Sequence, residues 1–142
     1  MLTAKDIMTR DVITVKRDTP VDKAMQIMVE KRISSMPVVE DDMTLAGIIS
    51  EKDVVSLLYD TVRQMDGLEG KKVRHFMTER TVSFDKDDSL FDICDFFTKN
   101  IFRRVPITSE GRLVGIIGVA DIIRYALKVR SGRVDAAAEP RC

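Results

Sequence analysis

Apolar residues recur along this chain with two different periods, and the alternation between them predicts short strands and short helices in a fixed order. Val12 to Val15 is a β-branched run that reads as a strand. Thr19-Pro20 then reads as an N-cap followed by the first helical residue, with Val21, Ala24, Met25 and Met28 on one face. Ser35 to Val39 and Leu45 to Ile49 read as strands joined through the acidic turn Glu40-Asp41-Asp42-Met43, and a helix follows from Glu51. The second half repeats this order. Thr81 to Phe84 reads as a strand, Asp88 as a cap, and Leu90, Ile93, Cys94 and Phe97 as a helical stripe. Arg104 to Thr108 and Leu113 to Ile117 are the next strands, before a helix from Val119. A short capped turn opens each half, and in the first Thr3 and Asp6 form a T-x-x-D capping pair.

The parallel extends to single residues. Ile7-Met8-Thr9 recurs as Phe76-Met77-Thr78, displaced by 69 residues, and the same displacement carries Asp18 onto Asp87 and Met36-Pro37-Val38 onto Val105-Pro106-Ile107. Past the acidic turn it shortens to 68, carrying Gly47-Ile48-Ile49 onto Gly115-Ile116-Ile117 and Asp53 onto Asp121. A deletion of one residue in a surface turn is cheap. Each half is therefore a β-α-β-β-α unit too small to bury both faces of its sheet alone. The expected fold is α/β (α+β), with two such units packed face to face through their sheets in pseudo-twofold symmetry. The expected organisation is repeat 1 over residues 1–59, a linker over 60–72, repeat 2 over 73–130 and a flexible tail over 131–142. Within the linker, Val62, Met65 and Leu68 have the spacing to continue the preceding helix.

Composition narrows the function classes. With 142 residues, 44% hydrophobic and 32% charged, the chain is of ordinary globular composition. Its 23 basic and 23 acidic residues cancel, so no global field gathers nucleic acid or anionic lipid, and any anion site must be local. No apolar run approaches the roughly 18 residues of a membrane span, and the N-terminus lacks a signal pattern. Two cysteines, Cys94 and Cys142, are too few for a disulfide framework or metal cluster, so a reducing, cytoplasmic setting is expected.

Two tandem copies of I-M-T, then h-P-V, then G-h-h-(S/T)-x-x-D resemble a stand-alone pair of cystathionine β-synthase (CBS) domains, a Bateman module, from about Thr3 to Val129. The resemblance implies a homodimeric regulatory module that binds an adenosine nucleotide in clefts between the repeats and signals to an effector protein. AMP is the leading ligand, with ADP and ATP beside it, and the nucleotide is a regulatory ligand with no separate cofactor. In Gly47-Ile48-Ile49-Ser50-Glu51-Lys52-Asp53, Ser50 would serve phosphate and Asp53 the ribose hydroxyls. The competing reading makes Ser50 and Asp53 a capping box with no ligand. Family resemblance pairs them with Arg103 and Arg104, the adjacent cations before Val105-Pro106; strand alternation lets one of the two face the phosphate. Val12, Ile13 and Val38 would wall the purine, with backbone near Thr14 reading the base edge, although any one of them taken singly fits a plain core strand better.

The second copy reads Gly115-Ile116-Ile117-Gly118-Val119-Ala120-Asp121, keeping the carboxylate and losing the hydroxyl. Paired with the uncharged Ser34 and Ser35, Gly118 and Asp121 define a weaker cleft. The apolar faces carrying Val54, Leu57 and Leu58, and Ile122, Ile123 and Leu127, are the expected dimer seam. Catalysis is not expected. His75 is the sole histidine, equivalent to Asp6, and reads as a surface residue; Cys94 and the methionines read as core, and neither a two-histidine metal site nor a P-loop is present. The alternatives are a structural homodimerisation module with empty clefts, or a binder of an NAD-type ligand or S-adenosylmethionine.

Overall fold

The computed structural model describes residues 1–64 and 67–132. Met65 of the expected helix continuation, and all of the expected tail beyond Gly132, including Cys142, lie outside these residues. The elements are α1 (Ala4–Ile7), α2 (Val21–Lys31), β1 (Ser35–Val39), β2 (Leu45–Ser50), α3 (Glu51–Gln64), a 3-10 turn (Val73–His75), β3 (Phe84–Asp85), α4 (Leu90–Lys99), β4 (Arg104–Ser109), β5 (Arg112–Gly118) and α5 (Val119–Arg130). The fold is mixed α+β, with two small sheets.

Two compact units partition the chain, and they are not the two sequence repeats. Unit 1 joins Met1–Val12 to the chain from Val82 onward; unit 2 is Ile13–Thr81. Each unit therefore takes the opening turn of the other repeat. In unit 1, Ala4 N donates to Asp88 O (2.9 Å), Lys5 N to Lys86 O (2.9 Å) and Leu90 N to Leu2 O (3.1 Å). Unit 2 repeats the set through Val73 N to Thr19 O (2.9 Å), Arg74 N to Arg17 O (2.9 Å) and Val21 N to Lys71 O (3.0 Å). The turn then meets the sheet: Thr9 exchanges both backbone bonds with Ile116, and Thr78 with Ile48. Side chains follow the backbone. Leu2, Ala4 and Met8 are buried with Leu90, Ile93, Val105, Ile107 and Ile117, whereas Val73 is buried with Ala24, Met28, Met36, Val38 and Ile49.

The antiparallel ladders are equivalent in both units. Pro37 pairs with Ile48 and Pro106 with Ile116, and both ladders shift register one step later, skipping Ala46 in one and Val114 in the other. The missing residue of the second repeat is a matter of turn length. Glu110 (φ 52°) and Gly111 (φ 79°) close a two-residue hairpin with both residues left-handed, as a type I′ turn requires, whereas Asp41, Asp42 and Met43 bridge Glu40 and Thr44.

Three local expectations are corrected. Val12 to Val15 and Thr81 to Phe84 are not strands along their length; among the described residues the β-bridges of these runs are Val15 to Val38, parallel, and Phe84–Asp85 beside Ile107–Thr108. β propensity alone does not make a strand, because a ladder needs a neighbouring strand in register along the run. The helix caps sit one residue later than expected, at Pro20 and Ser89. Thr19 Oγ1 and Asp88 Oδ2 instead accept from the backbone N–H groups of Lys16 (2.9 Å) and Asp85 (2.7 Å), closing the turn before each helix. Finally, α3 continues through Val62, but Leu68 lies in a bend.

Candidate functional site

Each sheet delivers its last strand directly into a helix, and the carboxylate one turn along folds back on that junction. In unit 2, β2 ends at Ser50 and α3 begins at Glu51. Ser50 N (2.9 Å) and Ser50 Oγ (3.0 Å) both donate to Asp53 Oδ2, while Asp53 N donates to Ser50 Oγ (3.2 Å). This is a complete reciprocal capping box. Among the described residues nothing donates to Asp53 Oδ1. Ser34 and Ser35 belong to the same corner: Ser34 O accepts from Glu51 N (2.8 Å), and Ser35 lies opposite Ser50 in the ladder.

Unit 1 builds the equivalent corner with different chemistry. Gly118 N donates to Asp121 Oδ2 (2.7 Å) without a hydroxyl to assist. Asp121 Oδ1 is occupied too, accepting from Arg124 Nη1 (2.8 Å) and Thr9 Oγ1 (3.3 Å). Arg104 lies opposite Gly118 in the ladder, and Val119 N donates to Arg103 O (2.9 Å). The arginines thus share a unit with Gly118 and Asp121, and the serine pair shares one with Ser50 and Asp53. A Cβ added at Gly118 would lie 3.2 Å from Arg104 Cγ, tight against a chain that can move.

Val38 is fully buried in the unit 2 core, where a strand residue belongs; Ile13 is 37% exposed, Thr14 half-buried, and Val12 half-buried in unit 1. Val54 and Leu57 also turn inward, so that part of the expected seam is core. The exposed stripe of α3 is Val55, Tyr59 and Val62, set at four- and three-residue steps that the sequence reading passed over for the neighbouring stripe. On α5, Ile123 and Leu127 are more than half exposed. A groove of about 540 Å³ lies between α2 and α3, lined by Met25, Met28, Val29, Val54, Val55 and Leu58 with Arg32 and Glu51.

His75 does what its equivalent Asp6 does. Asp6 Oδ2 accepts from Thr3 N (2.8 Å), and His75 Nδ1 accepts from Lys72 N (3.1 Å), so both cap an opening turn. Among the described residues no three His, Cys, Asp or Glu side chains gather in a way that could hold a metal, and no helix is long and apolar enough to cross a membrane.

The same pattern recurs in known proteins. The structure of CBSX2 of Arabidopsis thaliana in complex with AMP is 30% identical in sequence, and the match covers 92% of this chain and 99% of that one at a TM-score of 0.81. The CBS domain-containing protein YhcV of Bacillus subtilis is 30% identical over 86% of this chain and 84% of its own length. The uncharacterized protein MJ1225 of Methanocaldococcus jannaschii is 32% identical over 84% of this chain but only 41% of its own length. The chain spans between 41% and 66% of the first relatives it matches. The model of the CBS domain matches residues 4–60 and again 73–128. With both copies in place on two equivalent antiparallel ladders, the chain belongs to the CBS domain family and carries a tandem pair of its repeats.

Proposed function

We propose that this chain is a non-catalytic regulatory module that binds an adenosine nucleotide, AMP foremost, and passes the resulting change to a partner protein. The observation that carries this reading is the corner at Ser50 and Asp53. Its carboxylate is oriented by two donors on Oδ2, while Oδ1 has no donor among the described residues. An ionised carboxylate oxygen held in place is a good acceptor for a ribose hydroxyl. In the first turn of α3 beside it Glu51 N and Asp53 N are already engaged, which leaves the Lys52 N–H to meet an anion. The AMP complex of CBSX2, at 30% identity, supports the choice of ligand. In this reading Arg103 and Arg104 meet the phosphate, and Gly118 and Asp121 with Ser34 and Ser35 form a weaker second site. The module acts as a homodimer through the exposed stripes of α3 and α5.

The competing reading, a dimerisation scaffold that binds nothing, draws support from the same corner, since the Ser50–Asp53 box is complete without a ligand. A thermal-shift screen with AMP, ADP, ATP, adenosine, NAD and S-adenosylmethionine separates the two. Ligand at 100 times its dissociation constant adds about 2.7 kcal/mol. At this chain length that raises the melting temperature by on the order of 8 °C. No shift with any of them at millimolar concentration leaves the scaffold.

A further inference from the structure

The carboxylates at the two corners differ in what already occupies them. Among the described residues nothing donates to Asp53 Oδ1, whereas both oxygens of Asp121 accept hydrogen bonds from this chain. Two of the donors to Asp121 come from outside its helix cap. Thr9 reaches it from the exchanged opening turn, and Arg124 reaches it from the next turn of α5 at 2.8 Å. Asp121 is 12% exposed and Arg124 65% exposed, so the guanidinium lies over the carboxylate from the solvent side. Displaced by 68 residues, the position of Arg124 is held in the first repeat by Ser56, which has no charge to offer Asp53.

We infer that Arg124 is a specificity-determining residue that masks Asp121 and so disfavours ribose capture at the second corner. A nucleoside diol seeking Asp121 Oδ1 must compete with a charge-assisted hydrogen bond and with the Thr9 hydroxyl; at Asp53 Oδ1 no donor among the described residues stands in its way. The pair is thereby made unequal by a substitution outside the G-h-h-(S/T)-x-x-D segment. The inference rests on the nucleotide-binding reading and goes beyond it, because it assigns the inequality of the sites to Arg124 as well as to the hydroxyl lost at Gly118. For a phosphate the same guanidinium would attract, so the effect is specific to the nucleoside.

Adenosine, which has no phosphate, is the appropriate probe. In an Asp53→Ala background, adenosine titrated calorimetrically is expected to bind about two- to fivefold more tightly when Arg124 is changed to Ser, the range an exposed ion pair carries. Because the mask is an ion pair, raising salt should tighten adenosine binding with Arg124 present and leave the Arg124→Ser protein unchanged. Unchanged or weaker binding in Arg124→Ser overturns the inference. So does a chain with Asp53 intact that binds adenosine while neither the Asp53→Ala protein nor its Arg124→Ser derivative does, since Asp121 is then no ribose acceptor. Should the Asp53→Ala protein fail to fold, the same comparison is made with Asp53 intact, reading the weaker of two binding phases. Absence of adenosine and AMP binding in every protein overturns the nucleotide reading itself.

Discussion

Lys5 Nζ lies 2.7 Å from Asp87 Oδ1 across 82 residues of sequence, and its repeat equivalent, Arg74, pairs with Asp18. The two pairs mark the same exchange from opposite ends. In each, a cation on an opening turn meets a carboxylate just ahead of the helix that belongs to the other repeat. The hydrogen bond from Lys5 holds the Asp87 carboxyl below the usual carboxylate range and raises the Lys5 ammonium above its own.

Asp87 is lowered in the folded protein, so its contribution is present above the unfolded carboxyl pKa, about 3.9, and is lost as pH falls through the lower folded value. Lys5 is raised, so its contribution is present below about 10.4 and is lost as pH rises through the higher folded value. Melting curves of the parent and Lys5→Met should therefore differ by a small constant amount across neutral pH and converge below about pH 4. A difference that grows on acidification would show that the pair does not tie this turn down.

Gly47 and Gly115 occupy equivalent positions under the two exchanged turns, yet their replacement should have unequal costs. A Cβ at Gly47 would run into the carbonyl oxygen of Thr78, a backbone atom in the bridge to Ile48, and lie 2.7 Å from Met77 Cε. At Gly115 the nearest atoms are Met8 Sδ (2.5 Å) and Cγ (2.8 Å), on a side chain that can turn aside, though Thr9 O follows at 3.0 Å. Overpacking costs about 1–3 kcal/mol, and Gly47→Ala should fall at the upper end with Gly115→Ala below it. Urea denaturation of both variants checks the order.

Ser50→Ala and Asp53→Ala each remove part of the α3 capping box, and without ligand each should cost about 1 kcal/mol, as lost caps do. With AMP they should diverge from an ordinary cap mutation. Asp53→Ala is expected to abolish the AMP-induced melting shift, and Asp121→Ala to reduce it less. If Asp121→Ala does the greater damage, the ranking of the two sites is reversed.

Arg103→Ala combined with Arg104→Ala should abolish the AMP shift while lowering adenosine affinity little. Charge-assisted hydrogen bonds contribute roughly 1.5–3 kcal/mol each. Losing one therefore weakens AMP about tenfold or more. Equal losses for AMP and adenosine would mean that the arginines act on the fold and not on phosphate.

Tyr59 and Leu127 are 64% and 58% exposed on α3 and α5, and charge at either should oppose burial against a second copy. Sedimentation is expected to show the parent as a dimer at micromolar concentration and Tyr59→Glu with Leu127→Glu at 16.1 kDa. A parent already sedimenting as a single 16.1 kDa chain removes the homodimer from the proposal.

Local patterning alone was sufficient for much of the architecture. β1 runs from Ser35 to Val39 as the short apolar run ahead of the acidic turn indicates, β2 begins at Leu45, and α3 and α5 begin at Glu51 and Val119. The displacement of 69 residues that becomes 68 fixes which residues are equivalent, and the ladders keep Pro37 and Pro106 in the same register. These are properties of neighbours in sequence, where side-chain period and turn chemistry act directly. The Ser50–Asp53 box was legible for the same reason, its partners being three residues apart. Tertiary structure decided which sheet each opening turn completes. Thr3 to Thr9 carries the same pattern whether it covers the sheet of its own repeat or that of the other, and hydrophobic burial is non-directional, so no local signal distinguishes the two. Only the chain path, with Ala4 on Asp88 and Thr9 on Ile116, selects the exchange. That selection brings Thr9 to Asp121, a contact 112 residues apart that no spacing within either repeat could have indicated.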